Sequence, residues 1–236
     1  MTKQAEHTSA EGRRPLGISK PPGPGAALDR DWPAYFAAVD GLPPRETLLR
    51  ALALFDGRPR EDARAALAVD VGSGSGRDTL EMLRRGWRVI AVDPEADGHA
   101  RLMRAAPPAL RERLTMVIAP LERADLAAFA RAASPGGADL VNASFTLPFI
   151  PGEVFAQAWA CIVDALRPGG VFSGQFFGDR DGWASIPRRS HHTRGAALGL
   201  LAPFALELFD EQEKDGKDAF GDPKHFHVFH AVAVKR

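Results

Sequence analysis

The chain has almost no cysteine, no net charge and no long apolar run, and each deficit removes a class of protein. One cysteine, Cys161, in 236 residues excludes an intrachain disulfide and fits a reducing compartment. It falls in a stretch that reads as helix and is taken as ordinary packing. Thirty basic residues balance thirty acidic ones, so the basic excess of a nucleic-acid-binding face is missing. No apolar segment approaches the length of a membrane span, and the N-terminus has no apolar signal core. A soluble, cytoplasmic protein with neither nucleic-acid nor membrane partners is expected. Metal motifs are missing too. His225 and His227 share one face of a predicted strand and His230 takes the other, but no cysteine or carboxylate spacing completes a ligand set.

The length suits one domain with a large core. Residues 1–28 are polar, with a cluster at Pro21-Pro22-Gly23-Pro24-Gly25. They bury too little apolar surface to offset ordering, so a disordered tail is expected there, with a single domain over 29–236. Within it, residues 29–56 read as a helical lid: Trp32, Tyr35 and Phe36, then a Pro-started helix with Leu48, Leu49, Leu52 and Phe55 inward.

The rest is organised around residues 66–78. The apolar run through Asp70 and Val71 reads as a buried parallel strand. Gly72, Ser73, Gly74, Ser75 and Gly76 follow, then an amphipathic helix with Leu80 and Leu83 inward and Gly86 as its stop. Strand, glycine loop and helix make a mouth for a nucleotide-like ligand, because glycine admits close backbone approach and the helix start offers free N–H groups. The spacing is not Gly-x-Gly-x-x-Gly, the dinucleotide fingerprint, since Arg77 stands after Gly76. A second strand, residues 87–93, ends in Asp93, 17 residues beyond Gly76, where an acid is placed to accept from two ribose hydroxyls.

Further along, residues 94–106 read as a helix stopped by Pro107 and Pro108, 114–119 as a third strand, and 120 onward as the next helix. A fourth strand covers 138–144. A helix of about 15 residues then places Phe155, Ala158, Trp159, Ile162, Ala165 and Leu166 on one face. The fifth strand, 171–178, follows the turn Arg167-Pro168-Gly169-Gly170, and a charged loop leads to a helix near 193–201. Strands at 204–209 and 225–234 form a closing hairpin, joined by the acidic stretch 210–223.

Asp70-x-Gly72-x-Gly74-x-Gly76, the acid at Asp93 and the Arg-Pro-Gly-Gly turn resemble the class I S-adenosylmethionine-dependent methyltransferases. The resemblance implies an α/β fold: a Rossmann-like, seven-stranded, mostly parallel sheet with helices on both faces and an antiparallel C-terminal hairpin. It implies S-adenosyl-L-methionine as cofactor and a small-molecule methyl acceptor, with a monomer or homodimer as the working form. Gly72, Ser73, Gly74 and Gly76 would then floor the cofactor, Asp70 would orient the loop, and Asp93 with Pro94 would hold the ribose. Many relatives carry an acid just after the third strand for the adenine amino group. Here that place is Ala119 or Pro120, so the contact falls to backbone near Leu121 or to Glu122. Tyr35 would face the sulfonium and Arg45 the methionyl carboxylate.

In an open α/β sheet ligands sit beyond the carboxyl ends of the strands, which puts Asn142, Ala143 and Ser144 at the methyl-transfer site, with Phe145, Leu147, Pro148 and Phe149 as acceptor walls. Asn142-Ala143-Ser144-Phe145 departs from the Asn/Asp-Pro-Pro-aromatic pattern of enzymes that methylate bases. Gly178-Asp179-Arg180-Asp181 and His192-Thr193-Arg194 look like small-molecule methyltransferases of the bacterial tellurite-resistance type. On that reading His191, His192 and Arg194 are the catalytic candidates. Either histidine would serve as base for a hydroxyl or ammonium acceptor, whereas a thiolate or oxyanion needs none. Two rivals use the same residues: a non-catalytic S-adenosylmethionine-binding sensor or partner subunit, and an NAD(P)-dependent oxidoreductase, which the glycine spacing disfavours.

Overall fold

The structure is a computed structural model that describes residues 31–56 and 65–236; the tail expected over 1–28 lies outside them. Five strands, β1 (Leu67–Val71), β2 (Arg88–Asp93), β3 (Leu114–Ile118), β4 (Ala138–Ala143) and β5 (Leu166–Gly178), pair in parallel in the order β3-β2-β1-β4-β5. The long β7 (Phe204–Lys217) and β8 (Pro223–Lys235) complete the far side, β8 lying antiparallel between β5 and β7.

Two expectations need correction. The sheet has eight strands, not seven, because β6 (His191–His192) adds in parallel to Phe177 and Gly178 of β5; two residues are too few to show a period of two. The hairpin has no long connector either. Its ladder runs from Phe204↔Lys235 to Lys217↔Pro223. The acidic stretch of β7 is an exposed edge, where charge guards against further strand pairing, and charge of that kind reads as loop.

The helices follow their sequence signals more closely. α7 (Gly152–Ala165) buries Phe155, Ala158, Trp159, Ile162 and Ala165, the face that the helical period marks. In α3 (Arg77–Arg84) the buried face is Asp78, Thr79, Met82 and Leu83, with Leu80 only half-buried. The helix expected from residue 120 is split: a 3₁₀ turn at Leu121–Arg123 precedes α6 (Leu126–Ala133), whose start is capped by Asp125 accepting from the Ala128 N–H at 2.9 Å. α4 (Ala96–Ala105) is followed by the short α5 (Pro108–Arg111). On the N-terminal side α1 (Trp32–Ala38) starts on an Asp31 cap, and α2 (Glu46–Ala53) buries Thr47, Leu48, Ala51 and Leu52.

Strand alternation divides the core between the two faces of the sheet. Leu67, Val69 and Val71 of β1 join Phe172 and Phe176 of β5 on the α7 side. Ala66 and Ala68 join Leu48, Leu52, Met82 and Leu83 on the side of α2 and α3. By the same alternation Asp70 turns toward α3, and it does so as the last inward residue before the glycine loop.

Candidate functional site

Beyond Val71 the backbone turns left-handed at Gly72 (φ +68°) and Gly74 (φ +50°). Both need glycine for space as well as for φ. A Cβ on Gly72 would meet Thr146 Oγ1 at 2.0 Å, and one on Gly74 the Phe36 ring at 2.9 Å. The loop is tied to β2: the Gly72 and Ser73 N–H groups donate to the Val92 carbonyl at 2.8 and 3.2 Å. Asp93 closes the frame, accepting from the Gly74 N–H and from the Glu95 N–H, each at 2.8 Å. Burial pushes the Asp93 carboxyl upward, and those two backbone bonds oppose the shift.

Under the loop lies a buried polar network. Asn142, wholly buried, donates to Asp70 Oδ1 at 2.9 Å and to Asp78 Oδ2 at 3.1 Å, and its carbonyl accepts from Ser173 Oγ at 2.7 Å. Thr79 Oγ1 donates to the other Asp70 oxygen. Asp78 Oδ1 accepts the Arg45 backbone N–H at 2.9 Å, which ties the entry of α2 to the start of α3. Burial, with the Asp78 charge beside it, pushes the Asp70 carboxyl up to about 7 against the bonds from Thr79 and Asn142.

Above this network a cleft of about 280 Å³ opens at the carboxyl ends of the strands. One wall is the glycine loop with Asp93, Pro94 and Glu95; Ala119, Pro120, Leu121 and Glu122 continue it. Trp32, Tyr35, Phe36 and Arg45 from the N-terminal helices cover it. Phe145, Thr146, Phe149, Ile150 and Arg188 face it from the far side. Two groups at the loop are buried without a partner among the described residues: Ser73 Oγ and Arg77 Nη1. Buried polar atoms are seldom left unpaired. This donor set fits a ligand with one charged polar end and a diol.

Of the residues singled out from the sequence, Asp70, Gly72, Ser73, Gly74, Asp93, Pro94, Leu121, Tyr35 and Arg45 line the cleft. Gly76 does not: its left-handed backbone starts α3 and packs against Leu102. Asn142 and Ala143 are fully buried beneath the floor, and the cleft is reached instead by Ser144, Phe145 and Thr146. Leu147 and Pro148 are buried and do not line the cleft, whereas Phe149 does.

The three catalytic candidates are not brought to the cleft. β6 turns His192 into the α7 side of the core, with its ring 4.6 Å from Phe155 and 5.7 Å from Phe176. Burial, helped by neighbouring His191, pushes His192 down to about 4, so it is neutral. His191 packs beside Phe177 with Nε2 3.9 Å from Asp181, and burial lowers its pKa as well. Arg194 is exposed, with Nε 3.2 Å from Glu211 on the outer hairpin. His225 and His227 lie on β8 of that hairpin and turn to carboxylates of β7, His225 to Asp215 and Glu213 and His227 to Glu211. Among the described residues no group of side chains is arranged to hold a metal ion.

Sequence reasoning passed over Asp78 and Thr146. Asp78 had a signal, an acid in the first helical turn, but such an acid is expected there for the helix dipole alone.

Residues 68–170 match the family model of the methyltransferase domain. Among solved structures the chain is similar to TehB from Haemophilus influenzae, with a TM-score of 0.63 and 12% identity over 81% of this chain and 62% of that one. It therefore spans less than two thirds of that protein. It is similar over 98% of both chains to the 1,6-didemethyltoxoflavin-N1-methyltransferase of Burkholderia thailandensis, solved with 1,6-didemethyltoxoflavin and S-adenosylhomocysteine bound, at a TM-score of 0.61 and 22% identity. A TehB-like methyltransferase from Corynebacterium glutamicum aligns with a TM-score of 0.54 and 18% identity over 89% of this chain and 96% of that one. No curated protein sequence matches the chain. At these identities the structural likeness is one of fold. Residues 68–170 thus match a methyltransferase domain, set in a sheet with the fold of solved S-adenosylmethionine-dependent methyltransferases.

Proposed function

We propose that the chain methylates a small-molecule acceptor whose nucleophile arrives already free of its proton. One observation carries this reading: among the described residues lining the cleft there is no histidine and no lysine, and Asp70, the carboxyl raised to about 7, has its two oxygens engaged by Asn142 and Thr79 beneath the loop. A base with a pKa near neutrality is the usual means of activating a hydroxyl or an ammonium. His192, neutral and enclosed by Phe155 and Phe176, is assigned to packing.

S-adenosylmethionine, held there, would supply an electrophilic methyl carbon on a sulfonium; transfer to an acceptor lone pair would leave a neutral thioether and need no redox partner. The chain's own residues bind and position. We assign Asp93, with Pro94 beside it, to the ribose hydroxyls, and the adenine to the wall at Leu121 and Glu122. Ser73 Oγ and the Arg77 and Arg45 guanidiniums are assigned to the charged methionyl end. Tyr35 lends an aromatic face that attracts a cation by about 1 kcal/mol. Asp70, Gly76, Asn142 and Ala143 act at one remove, by fixing the loop from below.

The acceptor is taken as a small molecule because the cleft is a concave, partly aromatic pocket and the chain has no charge excess for nucleic acid. No helix among the described residues is long and apolar enough to cross a membrane. The Burkholderia neighbour, solved with a methyl acceptor bound, supports the same class. The test is calorimetric titration with S-adenosylmethionine, followed by a screen for S-adenosylhomocysteine formation with thiolates, oxyanions and ring nitrogens. A pH–rate profile that tracks each acceptor's own pKa is expected. One protein pKa shared by every acceptor would sink the reading.

A further inference from the structure

Among the described residues only two that are not glycine adopt left-handed backbone, Phe145 (φ 53°) and Arg188 (φ 62°), and both line the same cleft. Such conformations cost on the order of 1 kcal/mol or more and persist where the surroundings over-determine them. Here they do. The Phe145 N–H donates to Gln175 Oε1 at 2.8 Å, and Gln175 Nε2 donates to Thr47 Oγ1 at 2.8 Å. The loop after β5 is fastened beside Arg188 by Ser190, whose N–H donates to the Pro148 carbonyl at 3.1 Å and whose Oγ donates to the Ile150 carbonyl at 2.6 Å. Arg189 stacks over the Phe149 ring at 4.3 Å. The fold thus holds the Arg188 backbone in a costly conformation next to Phe149.

Trp32, Tyr35, Phe36, Phe145 and Phe149 line the same cleft. Trp32 from α1 meets Phe149 edge to face with ring centroids 5.6 Å apart. Arg188 itself is exposed and has no carboxylate within ion-pair distance among the described residues, whereas the arginines of the outer hairpin, Arg180 and Arg194, are both paired with Glu211.

We infer that Arg188, with Trp32 and Phe149, forms the acceptor subsite, and that it takes a planar conjugated molecule bearing an anionic group. The inference rests on the methyltransferase reading of the cleft given above. A conjugated ring gains from offset-stacked or edge-to-face contact with aromatic walls, which a saturated ring cannot make. The guanidinium fork matches a carboxylate or an ionised enol in its own plane. An ionised acceptor brings its own lone pair, in keeping with a cleft that offers neither histidine nor lysine.

The test uses the full chain saturated with S-adenosylhomocysteine, titrated calorimetrically with three probes: 4-nitrobenzoate, its uncharged amide 4-nitrobenzamide, and the non-planar anion cyclohexanecarboxylate. The nitrobenzoate is expected to bind at least about tenfold more tightly than either of the others, the loss expected on removing a charge-assisted contact. Arg188→Gln should abolish the preference for acid over amide, and Arg188→Lys should keep part of it. S-adenosylhomocysteine affinity should be unchanged in both variants. Equal binding of acid and amide, no binding of any probe to the S-adenosylhomocysteine complex, or a preference that survives Arg188→Gln would each overturn the inference. Failure of S-adenosylhomocysteine itself to bind would overturn the methyltransferase reading of the cleft, and this inference with it.

Discussion

Asn142 and Asp70 are register partners across β4 and β1, and the Asn142 amide donates to the Asp70 carboxylate at 2.9 Å. The second proton of the same amide goes to Asp78 at the start of α3, 3.1 Å away. One neutral donor thus serves two buried acids, one from a strand end and one from a helix start, and the glycine loop runs between them.

Removing that donor leaves both acids short of a partner. Asn142→Ala is expected to lower the unfolding free energy by about 3 kcal/mol, the range for stranding buried charged acceptors. Urea denaturation reads this directly. A loss under about 1 kcal/mol would mean that Asp70 and Asp78 find replacement donors.

The Asp70 carboxyl, raised to about 7 in the folded chain, makes stability depend on pH with a definite sign. Its unfolded value is near 3.9, so the folded state holds the proton more tightly. Below pH 4 both states are protonated and nothing is lost. Between pH 4 and 7 the folded state is progressively disfavoured, and above 7 the penalty is complete. Asp70→Asn removes this term, so its stability measured against the natural chain should improve by at least about 1 kcal/mol between pH 4 and pH 7. A difference that stays constant across that window would refute the raised pKa.

Asp93 accepts the Gly74 and Glu95 N–H groups through its two oxygens and lines the cleft. Asp93→Ala is expected to weaken S-adenosylhomocysteine binding at least about tenfold, as expected for losing bonds to a charged acceptor. Circular dichroism should show the fold intact. Unaltered affinity would take Asp93 out of the ribose role.

His192 lies between Phe155 and Phe176 with its pKa pushed down to about 4. His192→Ala should therefore act on stability, lowering it by about 2 kcal/mol through the cavity it opens, while turnover on an identified acceptor stays within about threefold. The reverse pattern, a hundredfold loss of turnover with an unchanged melting temperature, would restore His192 as the base.

How much of this was legible beforehand follows from the range over which each signal acts. The glycine loop could be read because left-handed turns restrict residue choice at single positions, and Gly72 and Gly74 do lie there. The buried face of α7 could be read because a helix repeats over neighbouring turns. Asp93 could be located because a parallel strand followed by a helix has a standard length. The outer hairpin could not, since β7 is charged along an edge strand and charge is also what a loop shows.

The fate of the catalytic candidates was decided farther away still. His191 and His192 leave the cleft because β6 pairs with Phe177 and Gly178, and no pattern local to two histidines encodes that pairing. Arg188 reaches the cleft because Ser190 is held to Pro148 and Ile150, about 40 residues earlier in the chain. The parallel sheet, the loop and the acid that frames it are written in residues near one another and could be read there. Which side chains meet across the cleft was set by packing, because those contacts join segments whose local physics carries no record of the partner.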